Sequence, residues 1–154
     1  MPAEPSVGEK APPFLPRLAQ IMAKMVETEL EERGITAIRS EIEGRKPTRE
    51  ADRHYIDDKN LYQVTILDRW PPNAPSMQAK TFLEQHLKPW SIGLALKLAR
   101  RAILTTYPLD LPRAVEEAAV GQSDNLTLRV IVDYSMFDDT QVIRIDALAS
   151  WASP

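Results

Sequence analysis

The stretch LTLRVIVDY at residues 126–134, followed by SMFDDT at 135–140 and QVIRIDAL at 141–148, decides the fold class. Leu126, Leu128, Val130, Val132 and Tyr134 share one face of an extended chain, with Thr127, Arg129, Ile131 and Asp133 on the other. Beyond the polar turn, Ile143, Ile145 and Ala147 alternate with Val142, Arg144, Asp146 and Leu148. Period-two alternation on both sides of a short turn predicts a β-hairpin. Nothing in the stretch carries chemistry, so it fixes the kind of object without naming its task.

Working outward, the preceding segments read as a mixture of helices and strands. Residues 14–33 place Leu15, Leu18, Ile21, Met22, Met25, Val26 and Leu30 at three- and four-residue steps, with Glu27, Glu29, Glu31 and Glu32 between them. That spacing predicts an amphipathic helix, and Gly34 is placed to stop it. Residues 35–42 alternate as a strand, 44–59 form a charged loop, and 60–70 form a second strand, apolar enough on both faces to predict a central position or cover on both sides. The prolines at 71, 72 and 75 end that strand. Ser76 is the expected N-cap of a helix reaching Lys88, which Pro89 breaks. A helix over 91–105 follows, apolar over more than half its circumference, so it is either central to the core or covered by a partner. Asp110 and Pro112 open a short helix ending at Gly121. The expected fold is α+β, a four-stranded, largely antiparallel sheet with helices on one face. A Pro-rich arm (1–13) precedes the single domain (14–150), and a tail (151–154) follows it.

Composition narrows the function classes. The chain has 154 residues, 44% hydrophobic and 27% charged, as in an ordinary globular domain. A net charge of −3 argues against a dedicated nucleic-acid coat, and zero cysteines exclude disulfides, thiolate metal sites and cysteine nucleophiles. The first ten residues lack a signal peptide's basic flank and apolar core, and Lys97 interrupts the longest apolar run, so neither secretion nor membrane insertion is expected.

Candidate chemistry is sparse. His54 precedes Asp57 and Asp58, but a metal site needs further ligands from elsewhere, and the solvated-loop reading is favoured. His86 stands two residues after Glu84, and the two face different ways on a helix. Asp138 and Asp139, with Asp124 or Asp133, lack the glycine-anchored pattern of a calcium loop and read as a solvated turn. The five glycines build no phosphate loop. No catalytic residue, cofactor or metal is assigned.

Charge, by contrast, is polarised. Residues 80–113 hold six basic side chains (Lys80, Lys88, Lys97, Arg100, Arg101 and Arg113) against Glu84 and Asp110. Residues 114–154 hold seven acidic ones against Arg129 and Arg144. Opposite patches on different surfaces give head-to-tail contacts, which close into rings or continue as filaments. The interface candidates are therefore Lys97, Arg100 and Arg101 on the basic side and Asp138 and Asp139 on the acidic side. Phe14, Leu15, Trp90 and Trp151 join them as apolar anchors.

The order of elements, resting on the helix at 14–33, the strand at 60–70 and the hairpin at 126–148, resembles bacteriophage neck and tail-terminator ring proteins. That resemblance implies a non-enzymatic subunit of a homo-oligomeric ring, of hexameric order, joining head and tail in the virion or host cytoplasm. Its acidic side would face a channel through which DNA passes without sequence-specific binding. Two other readings stay open. One is a small cytoplasmic α+β enzyme or ligand-binding domain using His54, Asp57 and Asp58 with Arg100 or Arg101. The other is an adaptor that binds a partner along a sheet edge or helix.

Overall fold

The computed structural model describes residues 11–41, 61–112, 117–136 and 139–152. Helix α1 (Ala11–Glu32) buries Leu15, Leu18, Ala19, Met22, Ala23, Val26 and Leu30 on one stripe, as its spacing predicts. Gly34 ends it at φ +75°, donating to the Glu31 carbonyl at 3.0 Å while Ile35 donates to that of Leu30 at 2.9 Å. This paired closure needs a left-handed residue, which glycine adopts without a Cβ clash.

The sheet has six strands among the described residues: β1 (Thr36–Arg39), β2 (Tyr62–Arg69), β3 (Ile103–Tyr107), β4 (Glu117–Gln122), β5 (Thr127–Ser135) and β6 (Thr140–Ala152). The expectation of four strands is corrected by β3 and β4, both of which read as helix in the sequence. All pairings are antiparallel except β1 with β3. The thirteen-residue β6 is the central strand, and β2, whose sequence predicts a central position or cover on both sides, pairs with β6 alone among the described residues. One edge of β6 pairs with β2; the other pairs first with β5, through Asp146, and then with β3, from Leu148. Ala147 marks the split between them, and Thr106 Oγ1 bridges it by accepting from the Thr127 amide at 3.1 Å.

Between β2 and β3 the chain is helical: α2 (Ala79–Phe82), a π turn (Leu83–Leu87) and α3 (Lys88–Leu98) follow without a gap. Pro89 therefore does not break the helix. It has no N–H to donate, but it falls in the first turn of α3, where that loss is tolerated, and the wider π turn precedes it. Ser76 is not the cap. Its hydroxyl donates to the Asn73 carbonyl, and Gln78 occupies the N-cap. α3 stops at Ala99 instead of running to 105, because residues 103–107 join the sheet.

Helices α1 and α3 pack on one face of the sheet, around Leu104, Leu128, Val130, Val132, Ile143 and Ile145. Gly121 of β4 sits so close to α1 that a Cβ there would stand 2.0 Å from the Ala19 carbonyl oxygen. Arg39 of β1 reaches the Ser123 carbonyl just beyond β4, so the two ends of the sheet curl toward each other around α1. The opposite face carries a smaller cluster of Leu61, Tyr107, Leu109 and Leu148. No described helix is long and apolar enough to cross a membrane.

Candidate functional site

The structure engages several charged groups in holding the sheet. Asp146 on β6 is fully buried and faces Arg129 on β5, its partner in register. Arg129 donates from Nη2 at 2.6 Å and Nε at 3.2 Å to one carboxylate oxygen, Arg144 Nε adds 3.2 Å, and Thr65 Oγ1 donates to the other oxygen at 2.8 Å. Arg129 Nη1 donates to the Asp110 carbonyl at 2.7 Å. A buried pair persists when further hydrogen bonds support both ions, and here the Arg129 bond to the Asp110 carbonyl spans the split between β5 and β3. Glu27, expected on the solvated side of α1, is buried instead. It accepts from the Ser123 hydroxyl at 2.6 Å and the Asn125 amide at 2.7 Å, pinning the β4–β5 turn to α1.

The interface candidates divide into two groups. Leu15 and Trp90 are buried, and Phe14 meets Phe82 edge-on at 5.6 Å. Trp90 Nε1 donates to Asp68 at 2.7 Å and its ring neighbours Trp70, Phe82 and His86, so His86 belongs to an aromatic cluster. Trp151 is a strand residue of β6 and not part of a tail: its Nε1 donates to the Leu98 carbonyl at 2.7 Å, closing the end of α3. The exposed candidates are Lys97, which donates to the Thr65 carbonyl at 2.9 Å, Arg100, Arg101 and Asp139. Asp139 occupies the hairpin turn at φ +54°, a conformation that aspartate tolerates. His54, Asp57, Asp58, Asp138 and Arg113 lie outside the described residues. Among the described residues no group of three histidines or carboxylates converges as a metal site would require.

Besides a larger polar cleft beside α1, lined by Ile21, Lys24, Glu27, Glu31, Arg39 and Asp124, three surface features remain. A cleft of about 700 Å³ is lined by Tyr62, Arg100, Arg101, Tyr107, Ser150 and Trp151, where the Arg100 guanidinium lies 4.7 Å from the Trp151 ring centre. A second, apolar groove of about 360 Å³ runs between α1 and α3, over Ile21, Met25 and Ile92, with Lys24 and Lys88 at its sides. Leu96, one turn beyond Ile92 on α3, is 54% exposed. The third is the tip of the β5–β6 hairpin, where Tyr134 is 48% and Met136 88% exposed.

Sequence reasoning missed the groove because it counted Ile21 with the buried stripe of α1, whereas Ile21 stands at the margin, 37% exposed. The available signal was α3 itself, apolar over more than half its circumference. Trp90, Leu94 and Leu98 face the core, while Ile92 is half-buried and Leu96 exposed. Comparison with family models, curated proteins and solved structures finds no match.

Proposed function

We propose that this chain is a non-enzymatic structural subunit that assembles with copies of itself into a closed ring, of the kind formed by bacteriophage neck and tail-terminator proteins. The observation that carries the reading is the second apolar face of α3. A helix apolar over more than half its circumference belongs either inside a core or against a partner, and the described residues cover only one side of this one. Ile92 lines the groove with Ile21 and Met25, and Leu96 is exposed one helical turn further along α3. Burying one such large side chain contributes about 2 kcal/mol. The charge polarity supports the same reading, and the buried Arg129–Asp146 pair does not alter it, since it removes one base and one acid from the acidic part. In a ring of this kind the acidic side would line the passage for DNA, where like charge favours sliding over binding.

Light scattering on the full chain tests the proposal. The expected mass is an integral multiple of the protomer mass, and Leu96→Glu lowers it without changing the far-ultraviolet spectrum. A monomer at every concentration overturns it. The cleft at Arg100 supports a second reading, the binding of a small anion, which calorimetry with inorganic phosphate would detect as heat lost in Arg100→Ala.

A further inference from the structure

We propose that the groove between α1 and α3 receives the β5–β6 hairpin tip of a second copy of this chain, so that each protomer offers its tip to one neighbour and its groove to the other. The inference rests on the assembly reading and specifies its contact.

The groove sets the size of its occupant. Its volume of about 360 Å³ lies at the small end of the range of binding pockets, room for a few inserted side chains. The tip supplies side chains of that size: Met136, 88% exposed, and Tyr134, 48% exposed. Methionine is unbranched and polarisable, suited to an irregular apolar groove, and the described residues leave this one in water at a turn. Tyrosine brings a large apolar ring with a hydroxyl that can stay wet at the rim.

Charge sets the orientation. Lys24 on α1 and Lys88 on α3 flank the groove, and both are exposed. Glu29, the carboxylate on the same wall, has Arg33 at 3.9 Å, which offsets it. The tip brings the opposite sign through Asp139, exposed in the turn, and through Asp133, half-buried on the strand face opposite Tyr134. Apolar side chains would meet the apolar floor while carboxylates meet the lysines, and complementary potentials of this kind fix register and steer encounter. Groove and tip are different surfaces, so the contact is heterologous. It generates a ring if the rotation closes, whereas a self-complementary contact stops at a dimer.

The experiment uses the full chain and two variants at exposed positions, Met136→Glu on the tip and Ile21→Glu in the groove. Folding is checked by circular dichroism and assembly by analytical ultracentrifugation. Each variant alone is expected to weaken self-association at least tenfold and to sediment as a monomer. An equimolar mixture is expected to form a one-to-one heterodimer and nothing larger, because the intact tip of Ile21→Glu enters the intact groove of Met136→Glu and both remaining surfaces are spoiled. Lys24→Glu with Lys88→Glu should likewise dissociate the assembly, and Asp133→Lys with Asp139→Lys in a partner chain should restore pairing. A wild-type monomer overturns the assembly reading and this contact with it. A wild-type oligomer that neither variant disturbs overturns the contact alone. Loss with Ile21→Glu but not Met136→Glu assigns the groove to another occupant, such as a carboxylate amphiphile or a foreign peptide, and also overturns it.

Discussion

The two ends of the β5–β6 hairpin share one alternating pattern and meet opposite surroundings. Near the root both faces are covered: Leu128 and Val130 lie under the helices, while Arg129 and Asp146 lie buried on the reverse face. At the tip Tyr134 and Met136 stand in water. Alternation reports which residues share a face; it does not report what covers that face. The root is charged yet dry, and the tip is apolar yet wet. The root therefore serves stability, while the tip is available for something outside the protomer.

The largest test of that contrast lies at the root. Asp146→Ala leaves the Arg129 guanidinium, 1% exposed, without its counter-charge, and is expected to cost about 3–5 kcal/mol in urea unfolding. Replacing both at once, Arg129→Met with Asp146→Leu, should cost much less, because no buried ion is then left unpaired. A loss below about 1 kcal/mol for Asp146→Ala would show that water reaches the guanidinium and that the root is not sealed.

The next test is Gly121, which pairs with Leu128 one strand away. Any side chain there meets the α1 backbone at Ala19, which cannot swing aside as a flexible side chain would. Gly121→Ala is expected to cost about 1–3 kcal/mol, read from the thermal midpoint. If the loss is negligible, α1 does not rest against β4 in solution.

Gly121 also marks where the sequence stopped being legible. The sequence EAAVGQ at 117–122 has the composition of a helix end, with strong helix formers closed by glycine. The structure uses the same small residues as a strand over which a helix can lie closely, an advantage that belongs to tertiary packing. In β3, the first three residues, ILT at 103–105, read as the end of the preceding apolar helix because a short buried strand has no period of its own; its β-branched residues are the signal. Alpha1, its glycine stop and the hairpin were legible because spacing alone specifies them. The burial of the charged pair was not, since Arg129 and Asp146 are hairpin partners that look like solvated strand residues until the fold covers their face. Of the groove and the tip, the sequence named Asp139 and counted Lys88 among the basic side chains. It overlooked Met136, whose importance lies in its exposure, a property only the fold reveals.

The smallest effect is expected at the tip, and it separates an idle surface from a working one. Met136→Ser removes a side chain that touches water, so in dilute, dissociated protein the stability should change by no more than about 0.5 kcal/mol. Association binds only the folded state, so the wild type gains stability as protein concentration rises. A variant that cannot dock its tip gains none. The difference in thermal midpoint between wild type and Met136→Ser should therefore be near zero in dilute solution and widen with concentration. Asp146→Ala, acting inside one protomer, should show a large difference in dilute solution already. A gap for Met136→Ser that is large when dilute would mean the tip is held within its own chain, and one that never opens would mean that nothing docks there.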